Sequence, residues 1–548
     1  MRILRFLLVF FIITENASAQ NWIWGRSTTG AIYSDEGLCV AADASGNSFL
    51  GGDFASPSMT FGSYTINQTP NCGTAFLAKY DANGNPLWAK SYGCGEVWAA
   101  ATDSSGNCYI TGGYLGSANF GGCTLYNSGD EDFYIAKIDP NGNCLWAHSA
   151  TGITGDRGYG VSVSPAGDVY VTGLYTSVSI TFGSTTLNNT SQGWDNIFTA
   201  KYNSSGVLQW VRNGGGSTYD DAYGIATDAA GNAYITGFIT GSASSFGSIT
   251  VSSAGGKDVF ITKYDTNGNE IFCHVYGGAD DETGYGINTD QNGNILLTGY
   301  YNSPSVSFGS QTLSNTNNLN DFFLARFNAA GTPLWARSGS GPQQEYGYSV
   351  DANASGSIVV TGGSSSSQVS FGSNTFIFPA GYVDPSFIVK YDSTGNVLCL
   401  DGLPSGGDDQ NSVAFDPAGN IIFGGDYMKD PFVLGNDTLH LDSLEDVFIA
   451  KFNGNCDNPE GLLSLSSSSS VELFPNPSTG IFRLKNYSGN KILHFTVADV
   501  LGNRVSEGKL TENTFSLEGI VPGIYFCTIT DEKSVIFSGK ILLLANAR

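Results

Sequence analysis

The sequence predicts an all-β protein, a seven-bladed β-propeller closed by its N-terminal strand and followed by a small separate β-sandwich. Three observations carry this. Of 548 residues, 72 are glycine, 13% are aromatic and only 13% are charged, a composition suited to short strands joined by tight turns. No segment sustains a 3.6-residue apolar stripe. A turn glycine recurs at Gly46, Gly106, Gly167, Gly231, Gly293, Gly356 and Gly419, with successive spacings of 60, 61, 64, 62, 63 and 63.

Each repeat reads as four strands, a to d. The recurring glycine belongs to the a–b turn, and a strand ending in Gly follows it, as in AYITGF and VYVTGL. A short Phe-Gly insert comes next, at Phe61, Phe120, Phe182, Phe246, Phe308 and Phe371, with Leu434 in the seventh repeat. Strand c resembles DVFITKYD, and strand d resembles PLWAKSYG. The a–b and c–d turns share the form D-x-x-G-N, in which Asp accepts the amides of its own turn and Gly takes a positive φ. The run Asp81, Asn83, Asn85 has the look of a calcium loop but lacks its sixth-position glycine and closing glutamate.

The chain ends support a ring. Repeat seven has strand c, EDVFIAKF, but GNCDNPE follows where strand d belongs. The missing strand matches the N-terminal NWIWGRSTTG, with Trp24 aligned to Trp88 and Trp335. Residues 21–28 are therefore expected to complete the last unit, which removes the open edges an unclosed array would have to cap.

The pattern of GG, an acid and G, then D-x-x-GN-x-Y-x-TG and D-x-F-x-x-K-Y-D-x-x-G, resembles the SBBP-type β-propeller repeat over residues 20–458. That resemblance implies a fold and hardly a function. Past a serine-rich linker, 459–470, the tail 471–548 opens with VELFPNPSTGIFRL and continues through VADVLGNRV and GIVPGIYFCTI. Its half-buried alternating strands suggest a small Ig-like sandwich. The three segments resemble the type A C-terminal sorting domain of type IX secretion, matching at Pro475, Asn476, Pro477, Gly480, Asp499, Gly502, Pro522, Gly523 and Tyr525. The resemblance implies the type IX machinery as a partner, removal of the tail, and release or surface attachment.

The N-terminus reads as a secretory signal, residues 1–19: Arg2 and Arg5, the apolar run FLLVFFII, then Ala17-Ser18-Ala19 before Gln20. Nothing later reaches the length of a transmembrane helix. A formal charge of −25 argues against nucleic acid and against anionic lipid. From Val471 onward eight bases meet seven acids, so the body carries the negative excess.

Export permits disulfides, and the ten cysteines contain no C-x-x-C pair. Cys108 and Cys144 fall on strands b and d, two strand spacings apart, beyond bridging distance. Cys72 and Cys94, in loops at one end of the strands, are the expected pair.

No nucleophile elbow, zinc-binding H-E-x-x-H or phosphate loop is present, so no catalytic residue, metal site or cofactor is expected. His148 and His274 share the strand-d position held elsewhere by Arg26, Lys90, Arg212 and Arg337, a basic structural site. Strand c carries a base in all seven repeats: Lys79, Lys137, Lys201, Lys263, Arg326, Lys390 and Lys451. These eleven Lys and Arg, of fourteen between residues 21 and 470, are expected to pair with turn aspartates.

Just before strand a lie Asp35, Glu96, Asp156, Asp220, Glu282, Glu345 and Asp408, with Asp132, Asp195, Asp258, Asp321, Asp384 and Asp446 at the start of strand c. Their first expected use is to accept loop amides. The sharper one is an electronegative channel mouth for cations such as calcium or for basic ligands. Departures from the repeat mark where recognition would sit: Arg157, Lys257, Trp98 and Trp194. The expected function is non-catalytic binding or adhesion, with an unknown glycan or protein as ligand. Alternatives are a structural scaffold of a secreted assembly, or a secreted carbohydrate-active enzyme.

Overall fold

The computed structural model describes residues 22–30, 33–189, 193–379, 382, 384–403, 411–442 and 445–453 of the body. In the tail it describes 472–474, 478, 480–485, 493–498, 504–510, 513–517, 519–530 and 535–543. The signal segment, the serine-rich linker, Asp408, Pro475, Asn476, Pro477, Asp499 and Gly502 lie outside the described residues. The chain divides into two compact units, one running to Leu462 and the other starting at Leu463. All regular structure among the described residues is β, and no helix is long and apolar enough to cross a membrane.

Among the described residues, the first unit contains seven sets of four antiparallel strands, in order a-b-c-d. Set 1 comprises Asp35–Ala42, Ser48–Phe54, Thr74–Tyr80 and Pro86–Gly95. Set 2 comprises Ala99–Thr102, Cys108–Asn119, Asp132–Ile138 and Cys144–Ser149. Set 3 comprises Asp156–Val163, Val169–Tyr175, Asn196–Tyr202 and Leu208–Gly215. Set 4 comprises Asp221–Thr227, Ala233–Ile239, Asp258–Tyr264 and Glu270–Tyr276. Set 5 comprises Glu282–Thr289, Ile295–Tyr301, Asp321–Phe327 and Pro333–Ser340. Set 6 comprises Glu345–Ala352, Ile358–Ser364, Ser386–Tyr391 and Val397–Leu403.

Set 7 has strands a to c at Ser412–Phe415, Ile421–Tyr427 and Asp446–Phe452, and its strand d is Trp22–Ser27. Trp24 pairs with Lys451 and Ser27 with Phe448, as the N-terminal match requires. Sets 7 and 1 also share one core, in which Ile422, Val447 and Ile449 pack with Val40, Leu50 and Phe76.

Hydrophobic faces meet between neighbouring sets. Tyr109, Phe133 and Ile135 of set 2, for example, pack with Val171 and Phe198 of set 3. The Phe-Gly inserts seal these seams. Phe246 in the set 4 insert pairs with Gly214 in strand d of set 3, and Phe371 pairs likewise with Gly339 of set 5. All seven insert side chains, Phe61 through Leu434, are 2% exposed or less, a burial worth about 2 kcal/mol each.

The turn end is held by a repeated latch. The Trp24 indole N–H and the Lys451 ammonium both donate to the Ala82 carbonyl, in the c–d turn of the next set. Trp210 and Lys201 do the same at Thr266, and Trp146 and Lys137 at Ser204. Set 6 has Cys399 where the others carry an aromatic residue, and its neighbour, set 7, has no c–d turn to grip.

In the tail, a three-stranded and a four-stranded antiparallel sheet share a core of Phe482, Phe515, Phe495, Val497, Cys527 and Ile541.

Candidate ligand site at the channel mouth

Strand a of every set lines a common channel of about 430 Å³. Its two mouths differ chemically. At one lie the a–b turns, most of which share the geometry of the c–d turn at Asp81. Asp81 Oδ1 accepts the backbone N–H of Asn83 and Asn85, both at 2.9 Å, and Oδ2 accepts the Asn85 amide, so the run holds its own turn closed. In six sets the strand-c base reaches an a–b turn acid as expected; in set 6 the turn opens with Asn353 and holds no acid for Lys390 to pair with. The pairs are Lys79–Asp43 at 3.1 Å, Lys137–Asp103 at 3.3 Å, Lys263–Asp228 at 3.8 Å, Lys451–Asp416 at 2.7 Å, and Arg326–Asp290. In set 3 the turn begins with Ser164, and the acid has moved to its last position, where Asp168 meets Lys201 at 2.8 Å.

In strand d, Arg212 and Arg337 grip turn carbonyls instead of the expected turn aspartates. Arg212 Nε donates to the Gly268 carbonyl and Arg337 Nε to that of Gly395. His148 stacks on Tyr202 and His274 on Phe272, each against the glycine of the next turn.

At the other mouth, Asp35, Asp156, Asp220, Glu282 and Glu345 are fully buried. Asp35 accepts the N–H of Ala55 and Ser56, and Asp220 those of Gly216 and Thr240. Glu282 accepts those of Gly278 and Ser303, and Asp156 those of Thr176 and Ser177. Glu345 accepts the Gly341 N–H and the Ser364 hydroxyl. This is the amide-accepting role, and none of the five offers an oxygen to solvent. Burial pushes the carboxyls up, Asp156 and Glu345 to about 7 and Asp220 to about 6.

Glu96 differs because it sits one residue later in the repeat. It lies seven positions before its turn acid Asp103, whereas Asp35 lies eight before Asp43. That slip frees it from the loop amides and places it beside Glu131 and Arg157 at the mouth. Burial first, then the Glu131 charge, pushes Glu96 up to about 8. Arg157 Nε in turn donates to Glu131 Oε2.

Next to these acids stands an aromatic collar. Strand a carries a β-bulge in sets 1, 3, 4, 5 and 6, and the bulged residues are Leu38, Tyr159, Tyr223, Tyr285 and Tyr348. Trp98 holds the same place in set 2. The rings contact in sequence: Trp98–Tyr159 at 5.2 Å, Tyr159–Tyr223 at 5.4 Å, Tyr223–Tyr285 at 5.2 Å and Tyr285–Tyr348 at 5.7 Å. The strand-b glycine makes the bulge possible. A Cβ at Gly173 would lie 1.9 Å from the Arg157 carbonyl, and one at Gly237 would lie 1.9 Å from that of Asp221.

The off-register residues converge beside sets 2 to 4. Asp221 accepts the Tyr223 hydroxyl at 3.0 Å; burial, then the Asp195 charge, pushes it up to about 7. Lys257 Nζ lies 4.2 Å from the Phe238 ring centroid and 5.4 Å from that of Tyr219. Trp194, the neighbour of Asp195 in the chain, is 61% exposed on its loop. Of this site the sequence reading singled out Glu96, Arg157, Lys257 and Trp98. It missed the tyrosines, whose available signal was the repeated Tyr three residues after the acid in DRGY, ETGY and EYGY.

Cys72 and Cys94 form the expected bridge. A second joins Cys123 to Cys144, while Cys108 is a buried free thiol.

Comparison with known proteins places the tail. Residues 472–543 match the family described as the secretion system C-terminal sorting domain. The C-terminal unit is a type IX sorting domain. It directs the chain to the cell surface or the medium. In the sorting domain, Tyr525 donates its hydroxyl to the Val521 carbonyl at 2.6 Å and Gly480 takes φ +137°. Gly523 starts a strand, and Pro522 is exposed before it.

The chain is 24% identical over 441 residues to an uncharacterized WD repeat-containing protein, L264, of Acanthamoeba polyphaga mimivirus, covering 63% of this chain and 31% of that one. It is 24% identical over 192 residues to the regulatory protein FlaEY of Caulobacter vibrioides, covering 32% of this chain and 20% of that one. The chain thus spans a third or less of these relatives. Among solved structures, the Dos1 propeller is similar at TM-score 0.39 and 8% identity, covering 79% of this chain and 96% of that one. The Neurospora crassa Pan2 WD40 domain is similar at TM-score 0.36 and 9% identity, covering 76% and 89%.

Proposed function

We propose that this chain is an exported, non-catalytic binding or adhesion protein. In this reading its body is a closed seven-bladed propeller of SBBP type, its tail an Ig-like sandwich, and its ligand is held at the collar mouth. The supporting observation is the breakdown of the repeat there. Elsewhere the charged side chains of the register are absorbed by turns and latches, while Glu96, Arg157, Asp221 and Lys257 gather beside five aromatic rings. Propeller loops at one end of rigid strands suit recognition. The test is to probe glycan and matrix-protein arrays with the full chain, expecting a ligand whose capture falls at least tenfold in Tyr223→Ala. Capture undiminished by that change, or no capture at all, would sink the reading.

A scaffold role draws on a different feature. Ile23, Leu87, Leu145, Ile271, Leu334 and Leu398 occupy one strand-d position and are 43–53% exposed, an aliphatic residue at the outer edge of six sets. Co-purification with envelope proteins that is lost in Leu145→Ser/Leu334→Ser would favour it.

A further inference from the structure

The collar mouth also suggests what class of ligand it takes. We propose that it binds an uncharged oligosaccharide, with Trp98, Tyr159 and Tyr223 as stacking faces and Glu96, Arg157 and Asp221 as hydrogen-bonding groups. This deepens the binding reading above and rests on it.

The argument begins with polar atoms that the fold leaves unmatched. Glu96 hydrogen-bonds the Glu131 carboxyl, yet its Oε2 is left with no donor, and the Trp98 indole N–H meets no acceptor. A buried polar atom without a partner costs about 1–3 kcal/mol, so a ligand that supplies one gains that much. The two atoms need opposite partners. A hydroxyl offers both a hydrogen and lone pairs, whereas an ammonium group only donates and an anion only accepts. Both atoms are shielded from water in the ligand-free fold, so engaging them requires the Trp98 ring to turn.

Charge points the same way. Arg157 already answers Glu131, and the Lys257 ammonium is seated over Phe238 and Tyr219 beside Asp221. The cation places of the cluster are thus filled by the chain's own side chains. With Glu96 pushed up to about 8 and Asp221 to about 7, both hold protons near neutrality and the mouth is less anionic than its carboxyl count suggests. An anionic polysaccharide would still meet acids. An uncharged one meets half-exposed aromatic edges and faces, on which the C–H side of a sugar ring can lie, and a mixed set of donors and acceptors.

The experiment titrates the full chain with cellohexaose, maltohexaose, mannohexaose and chitohexaose, with hexagalacturonate and spermine as charged comparators, following tryptophan fluorescence and calorimetry. We expect at least one neutral hexasaccharide to bind and to change the Trp98 emission. Trp98→Leu and Glu96→Ala should each weaken it at least tenfold, while Leu334→Ser on the outer strand leaves it unchanged. Melting curves identify any variant that fails to fold, and saturation-transfer NMR on the unaltered chain then reads the aromatic–sugar contact directly. Preference for spermine would overturn the proposal in favour of a cation site. Sugar binding that survives both Trp98→Leu and Tyr223→Ala would place the carbohydrate elsewhere. Capture of a matrix protein with no hexasaccharide binding would overturn this inference while leaving the broader binding reading in place.

Discussion

The two ends of the body's strands carry the same residue type to opposite effect. At the turn end, burial pushes Asp43, Asp103, Asp228, Asp290 and Asp416 up, but hydrogen bonds from the turn asparagine and the strand-c Lys or Arg outweigh it and hold them below the ordinary value. At the loop end Asp35, Asp156, Asp220, Glu282 and Glu345 receive only amides and hydroxyls, burial prevails, and all are pushed up. The difference is the turn asparagine, whose side chain and N–H hold the carboxylate, with the strand-c cation adding to it, set against deeper burial at the loop end. Aspartate in a repeat therefore closes its own turn, in most sets beside a buried cation, at one mouth and clasps loop amides at the other.

The largest test of this contrast removes one partner of a buried pair. Asp416→Ala strands Lys451 at the seam between sets 7 and 1 and is expected to cost about 3–5 kcal/mol in denaturant unfolding. Restoring an apolar partner in Asp416→Leu/Lys451→Met should recover much of it; no loss in the single variant would break the comparison. Next, Cys72→Ser/Cys94→Ser opens a loop of 22 residues and should cost about 3 kcal/mol on the loop-entropy account, read by the same unfolding curves with and without reductant.

The pH profile sharpens the contrast further. A loop-end carboxyl with a folded value near 6 to 7 holds its proton more tightly folded than unfolded. Between about pH 4 and 7 the folded state therefore binds more protons, and stability falls as pH rises. The turn-end acids act in the reverse sense, and only below about pH 4. The melting temperature of the full chain should be higher at pH 5.5 than at pH 8, and a profile that climbs toward pH 8 would contradict the assignment. The smallest effect is Glu345→Gln, which keeps a neutral acceptor for the Gly341 N–H and should cost about 1 kcal/mol or less at pH 7.

Legibility differed between these regions for a physical reason. The latches were readable because a base recurred in every strand c and an acid in nearly every turn, and periodic residues must do periodic work. Lys201 shows the limit, since its partner sits at Asp168 and not at the first turn position. The collar was harder. Tyr159 and Tyr223 alternate with glycine like ordinary core residues, and only the bulge, which shifts register by one, turns them toward the channel. The Cys123–Cys144 bridge was missed because nothing local says that the insert folds back toward the start of strand d.

By itself, the sequence determined the strand content, the number of repeats, the N-terminal strand that completes the last set, and the sorting tail. Each of these rests on local spacing or a short motif that one segment carries alone. Tertiary structure decided which acids are buried, which polar atoms are left unmatched, and that Glu96, Arg157, Asp221 and Lys257 meet at one mouth. Those properties depend on desolvation and on side chains from three different sets approaching one another, and no single segment encodes such a meeting.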